Sequence, residues 1–207
     1  MIKYLNDNNL KTAVKHLCEV DKDLDAIYKM DGVPPLWARK SGFATLIKII
    51  LEQQVSLASA KAINNKLHKN IKLFTPSKFI DVGTSGLRKL GVTGQKSSYC
   101  ISLAKAAANG DFKFAQLNKM DNMDARKYLM KIKGVGSWTA DIYLLMAMCN
   151  PDIWPTGDIA LAKAMKKVKR LRYLPDQDKQ IKLSEKWKPL RAVAARMLWH
   201  HYIKNNL

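Results

Sequence analysis

Apolar residues recur along this chain at spacings of three and four, and alternation at period two is almost absent, so the pattern predicts helix nearly throughout. The predicted helices cover 9–19, 21–30, 43–52, 56–69, 76–81, 84–89, 94–109, 111–116, 121–132, 137–149, 158–170, 176–186 and 189–204. Turn chemistry separates them: DGVPP at 31–35, FTPS at 74–77, GTSG at 83–86, NGD at 109–111, NPDIWPTGD at 150–158 and YLP at 173–175. No low-complexity linker interrupts the 207 residues, which suffice for one substantial core or for two small lobes. Chain order suggests one lobe over 44–150 and another built from 1–43 together with 151–207.

One stretch departs from ordinary amphipathic helix. In NMDARKYLMKIK, residues 122–133, a stripe of Ala125, Leu129 and Ile132 with Tyr128 beside them runs into Gly134, and in KIKGVGSWTADIYLL, residues 131–145, a second helix starts at Ser137. Asp141 is the lone charge in TADIYLLMAMC, so this second helix should be buried on most sides. A helix N-terminus exposes unpaired backbone N–H groups and partial positive charge, which suits an anion. Glycines at 134 and 136 remove Cβ atoms that would hold a phosphate away, and Lys131 and Lys133 flank the spot. A plain pair of helices joined by a glycine C-cap would leave the same local pattern.

Charge favours the anion. Thirty-six Lys and Arg against 17 Asp and Glu give a net +19 and a pI near 9.9, pointing to a polyanionic partner such as nucleic acid or an anionic membrane. The longest apolar run, Ile142 to Cys149, has eight residues where a bilayer span needs about 20. MIKYLNDNNL lacks the apolar stretch of a secretory signal, so an intracellular protein is expected. Cys18, Cys100 and Cys149 lie far apart without a CxxC pair, which argues against a disulfide framework, zinc or an iron-sulfur cluster.

The pattern IKGVGSWTAD, followed about twenty residues on by WPTGDIAL, resembles the helix-hairpin-helix DNA glycosylase superfamily (HhH-GPD). GVPPLWARKSGFATLIKIILEQQVSLASAKAI (32–63) and PLRAVAARMLWH (189–200) are similar to its alkylpurine branch, the 3-methyladenine DNA glycosylase II type. The resemblance implies an all-α, two-lobed fold with an active-site cleft between the lobes. It implies that the hairpin, Lys133, Gly134, Val135, Gly136, Ser137 and Thr139, holds a DNA phosphate, assisted by a structural monovalent cation on the backbone carbonyls of Ile132 and Val135. No other cofactor is expected, and the four-cysteine set that carries an iron-sulfur cluster in some relatives is missing.

Asp158 follows Pro155-Thr156-Gly157 and opens the helix IALAKAMKKVKR, where aspartate is first of all a good N-cap. By resemblance it also stabilises the oxocarbenium-like charge that develops when a base leaves deoxyribose, and positions the attacking water. Relatives that cut the strand carry a lysine two residues after the second hairpin glycine; here that position is Trp138, which implies a monofunctional enzyme that leaves an abasic site. Trp138 and Trp199 match aromatic positions of the base pocket, although core packing would place tryptophans there too. Ile142 stands where relatives place an aromatic, which leaves the lesion range open. Gln54 matches the intercalating position, although Gln53 and Gln54 would also suit a surface turn. Lys163, Lys166, Lys167 and Arg170 share one helix face, which either tracks a DNA strand or is simply solvated.

The expected activity is base excision repair: flipping of 3-methyladenine or 7-methylguanine out of duplex DNA and hydrolysis of its glycosidic bond. A glycosylase for another damaged base, such as a deaminated purine, and a non-catalytic DNA-binding module are the alternatives. The expected partner is double-stranded DNA containing damaged bases, bound by a monomer, with no membrane involved.

Overall fold

The run FATLIKIILE has too many apolar residues for a surface helix, and on α3 (Phe43–Glu52) Leu46, Ile47, Ile49 and Ile50 are all fully buried. The computed structural model, which describes residues 2–205, is built on such helices, and among those residues there is no strand. In chain order they are α1 (Asp7–Val20), α2 (Lys22–Asp31), α3, α4 (Leu57–Asn70), α5 (Pro76–Lys89) and α6 (Gly94–Asn109). A 3-10 helix (Phe114–Lys119) leads to α7 (Asn122–Met130), α8 (Ser137–Met146), α9 (Ile159–Val168) and α10 (Gln177–Ser184). A second 3-10 turn (Glu185–Trp187) precedes α11 (Arg191–Lys204).

Side-chain caps set most of the helix starts. Asn6, Asp21, Ser56, Thr75, Thr93, Asp121, Asp158 and Asp176 each accept a hydrogen bond from an amide in the first turn that follows. The helices expected at 76–81 and 84–89 are the two arms of α5, on either side of a kink where Gly83 leaves helical geometry with φ 67°. Two expectations need correction. The helix placed at 111–116 is a 3-10 helix shifted to Phe114–Lys119. The hairpin's second helix stops at Met146 rather than 149, because Cys149 turns left-handed and the Asn150 N–H closes on the Leu144 carbonyl.

The chain forms two compact units, Arg39–Tyr143 and Met1–Ala38 with Leu144–Leu207. The first begins before residue 44 because Ser41 and the Gly42 N–H both bond the Tyr143 hydroxyl at 2.8 Å. Within it α6 packs against both α3 and α5, and Arg126 on α7 holds the buried Asp141 of α8 through two bonds of 2.7 and 3.2 Å. That pairing satisfies the single charge that the sequence placed in a buried helix.

The discontinuous unit is organised by α11, buried continuously from Ala192 to Trp199 and packed on α1, α2 and α9. Arg196 is fully buried, and among the described residues no ion pair joins it to a carboxylate. Its guanidinium donates to the carbonyls of Leu36 (2.9 Å), Ala192 (3.0 Å) and Leu145 (2.7 Å), and burial lowers its pKa to about 10. Leu145 is thereby held with this unit, which puts the division inside α8 rather than at residue 150. At the other end of the core, Asp21 accepts from Lys169 (2.6 and 2.7 Å) and from the Trp187 indole (2.7 Å), and pairs with Lys186.

Candidate functional site

In the discontinuous unit the loop 150–158 is clamped to α11. Asp152 holds Arg191 through bonds of 2.7 and 3.0 Å, and the Ala192 N–H donates to the Pro151 carbonyl at 2.9 Å. Ile153 and Trp154 are buried behind it, with Trp154 against the Trp187 ring at 5.5 Å. The loop ends at Gly157, whose φ of 82° suits glycine, and delivers Asp158 to the start of α9. Asp158 is an N-cap: its Oδ1 accepts from the Leu161 N–H at 2.8 Å. The same oxygen accepts from the Trp199 indole Nε1 at 3.2 Å. The carboxylate is therefore fixed by two donors from two helices, and Trp199, 7% exposed, is oriented by that bond.

On the far side of α9 from its core face, Lys163, Lys166, Lys167 and Arg170 are exposed and line a surface depression with Leu171. The helix ends in a Schellman motif, with Leu171 N–H on the Lys166 carbonyl and Arg170 N–H on that of Lys167. Arg170 occupies the left-handed position with φ 51°, where glycine would be relaxed.

In the Arg39–Tyr143 unit the hairpin joins α7 to α8. Lys133 and Gly136 are exposed, and a Cβ on Gly136 would meet nothing within 4 Å, so an anion has backbone access there. Three expected phosphate contacts have other employment. Gly134 has φ 86°, and a Cβ there would lie 2.1 Å from the Tyr99 ring, so packing alone already requires glycine at this position. Val135 is buried and its N–H donates to the Ile132 carbonyl at 3.0 Å. The Thr139 side chain is buried, and its hydroxyl accepts from Gln53 Nε2 at 2.7 Å. Ser137 and Trp138 are half-buried at the start of α8, and Ile142 is buried at 3%.

Gln54 is exposed in the turn between α3 and α4, again at positive φ, 53°. Its neighbour Gln53 is half-buried. Gln53 Nε2 donates to the Gly134 carbonyl at 2.9 Å as well as to Thr139, and Lys96 Nζ donates to the carbonyls of Gln53 (2.6 Å) and Leu51 (2.8 Å). Sequence reasoning missed Gln53, Lys96 and Tyr99 because these contacts cross 35 to 86 residues of chain; the doubled glutamine in LEQQVS was the one available hint.

Among the described residues no group of three His, Cys, Asp or Glu side chains could hold a metal ion, and no helix is long and apolar enough to cross a membrane. Residues 47–189 match the family model described as HhH-GPD superfamily base excision DNA repair protein. The DNA-3-methyladenine glycosylase of Bacillus subtilis is 28% identical over 96% of this chain and 77% of its own length. The alkylbase DNA glycosidase-like protein mag2 of Schizosaccharomyces pombe is 28% identical over 93% of this chain and 94% of its own. The solved structure of S. pombe 3-methyladenine DNA glycosylase (Mag1) in complex with abasic DNA superposes with a TM-score of 0.84 at 27% identity, covering 91% of this chain and 95% of that one. With the hairpin and the capped aspartate both inside the matched region, this chain belongs to the HhH-GPD superfamily of base excision DNA repair proteins.

Proposed function

We propose that this protein is a monofunctional DNA glycosylase that binds double-stranded DNA, flips an alkylated purine and hydrolyses its N-glycosidic bond. The observation that carries the proposal is Asp158 held by both the Leu161 N–H and the Trp199 indole. A helix cap needs only the first of these donors. The second fixes the carboxylate plane from another helix, which is what stabilising a developing cation requires. Similarity to proteins named as 3-methyladenine DNA glycosylases supports the substrate class.

The C1′–N bond breaks with its electron pair going to the base, so a cationic methylated purine leaves neutral and needs no general acid. Asp158 faces the oxocarbenium-like sugar, and water adds at C1′ and loses a proton, leaving an abasic site. Trp199, bonded to Asp158, offers an aromatic face to a cationic base, a preference of about 0.5–2 kcal/mol over a neutral one. No lysine stands at position 138 to form a Schiff base, so the strand stays intact.

Backbone binding falls to the amides around Gly136 and Ser137, to Lys133, and to Lys163, Lys166 and Lys167 with Arg170. Gln54 fills the gap left by the flipped base. Two of the four non-glycine residues at positive φ among the described residues, Gln54 and Arg170, are the proposed wedge and a proposed phosphate contact, and strain at such positions is retained where the side chain has work to do. A monovalent cation would sit on the carbonyls of Ile132 and Val135; the Ile132 oxygen accepts one hydrogen bond, from Val135, and keeps a second lone pair for it. The protein acts as a monomer, within the compartment that holds the DNA.

The test is release of free base from methylated duplex DNA under single-turnover conditions, wild type against Asp158→Asn. Asparagine keeps the helix cap, so folding and DNA binding persist while release falls at least about a hundredfold, near 2.7 kcal/mol of lost transition-state stabilisation. A wild type that binds but frees no base from methylated or deaminated DNA would reduce Asp158 to a cap and the protein to a binding module.

A further inference from the structure

The turn that carries Gln54 is fastened on both sides by groups with no part in the chemistry. α3 ends at Glu52, which leaves the last carbonyls of the helix without intrahelical partners. Lys96, from α6, takes two of them: its Nζ lies 2.8 Å from the Leu51 oxygen and 2.6 Å from the Gln53 oxygen. A cation there also meets the negative end of the α3 dipole. The Gln53 side chain turns the opposite way and donates to Gly134 O and Thr139 Oγ1 on the hairpin. On the other side of Gln54, Ser56 caps α4 through the Ser59 N–H. Gln54, between these anchors, is the residue that takes the strained φ of 53° and is exposed.

We infer that Lys96 is the positioning residue for the Gln54 wedge, and that through Gln53 it makes the wedge turn and the phosphate-gripping hairpin one rigid piece. This rests on the reading of Gln54 as the wedge. The physical consequence is preorganisation. A turn held in its inserting conformation does not pay ordering entropy when DNA is bound, whereas a turn released from Lys96 relaxes Gln54 to negative φ and withdraws the side chain. The hairpin then grips a phosphate at a fixed offset from the base step being opened.

A measurement independent of base release tests this. A duplex with a tetrahydrofuran abasic analogue opposite 2-aminopurine is titrated with full-length protein. A wedge entering the helix contacts the orphaned base and changes its fluorescence, and Gln54→Ala marks the signal of a missing wedge. Lys96→Met, which keeps the stem and removes the donors, is expected to bind within about threefold of wild type yet lose most of the fluorescence change. Lys96→Arg, which can reach both carbonyls, restores it; a residue that only filled space would not separate Met from Arg. If Lys96→Met does not fold, Lys96→Gln, too short to reach both oxygens, takes its place. In base release the defect should be about tenfold on duplex and absent on the isolated strand, where there is no stack to open. A folded Lys96→Met or Lys96→Gln with the wild-type fluorescence change overturns the inference, and so does a wild type with none. A wild type that gives the fluorescence change but frees no base sinks the catalytic reading and leaves the clasp standing.

Discussion

Lowering the pH should loosen the discontinuous unit by an amount set mainly by Asp21. Burial alone would raise the pKa of this carboxyl, but hydrogen bonds from Lys169, Lys186 and Trp187 outweigh it and bring the value from 3.8 down to about 2. A depressed folded-state pKa stabilises the native protein above the unfolded pKa, and that stability is lost as pH falls toward the folded pKa. At 1.36 kcal/mol per pH unit the difference amounts to about 2 kcal/mol, present at pH 5 and gone by about pH 2. The group is 2% exposed at its side chain, so solvent screening takes little from this figure. Asp21→Asn removes the titration, and because it leaves Lys169 buried without that partner, it should cost about 3 kcal/mol at neutral pH. The assay is urea unfolding of wild type and variant at half-unit steps from pH 2 to 7, compared at equal m. The gap between the two should narrow by about 2 kcal/mol between pH 5 and pH 2. A gap that stays constant over that range would refute the assignment, since the variant would then differ by packing alone.

Three further outcomes follow from the site. Gly134→Ala forces a methyl into the Tyr99 ring at a φ of 86°, and should lower stability by about 3 kcal/mol in chemical unfolding; a loss under 1 kcal/mol would mean that the hairpin adjusts freely. Arg170→Gly relaxes the left-handed C′ position and should stabilise the fold by about 1 kcal/mol, while reducing the log-log salt dependence of DNA binding by about 0.9; an unchanged slope would remove Arg170 from the backbone contacts. Trp199→Phe keeps a ring and removes the donor to Asp158, so base release should fall about tenfold with binding of an abasic analogue nearly unchanged; equal losses in both would point to packing instead.

The helical periodicity was legible because each helix buries one stripe, and α3, α6 and α11 begin or end within two residues of where that stripe and its flanking turns predict. α8 was overextended because Ala147, Met148 and Cys149 continue the apolar run, and nothing local reveals that Asn150 folds back on Leu144. Asp158 was legible as a cap from its own neighbours, and its proposed chemical role comes from the resemblance. The second donor on it, the Trp199 indole, comes from 41 residues away and has no local signature. The same holds for Tyr99 under Gly134: a glycine in a turn reads as conformational freedom, and the ring that also requires it lies in another helix. Arg196 was visible as a charge within AVAARMLW, but a guanidinium paired with carbonyls leaves no partner residue type to look for.

Arg196 has a further consequence for how the polypeptide can be cut and rejoined. The Leu36 and Leu145 carbonyls lie on either side of the stretch 39–143, and one guanidinium holds both. The contiguous unit is therefore an insertion whose entry and exit points in its host are pinned together. Loop-closure entropy grows only slowly with length, so the host pays little for carrying so long an excursion. The contiguous unit leaves the ribosome whole and can begin to fold at once, while its host must wait for Arg196 and the rest of α11 to be made. Completion of the host unit is thus timed by α11, and Ala38 and Leu144 mark where a short flexible linker could replace the insertion.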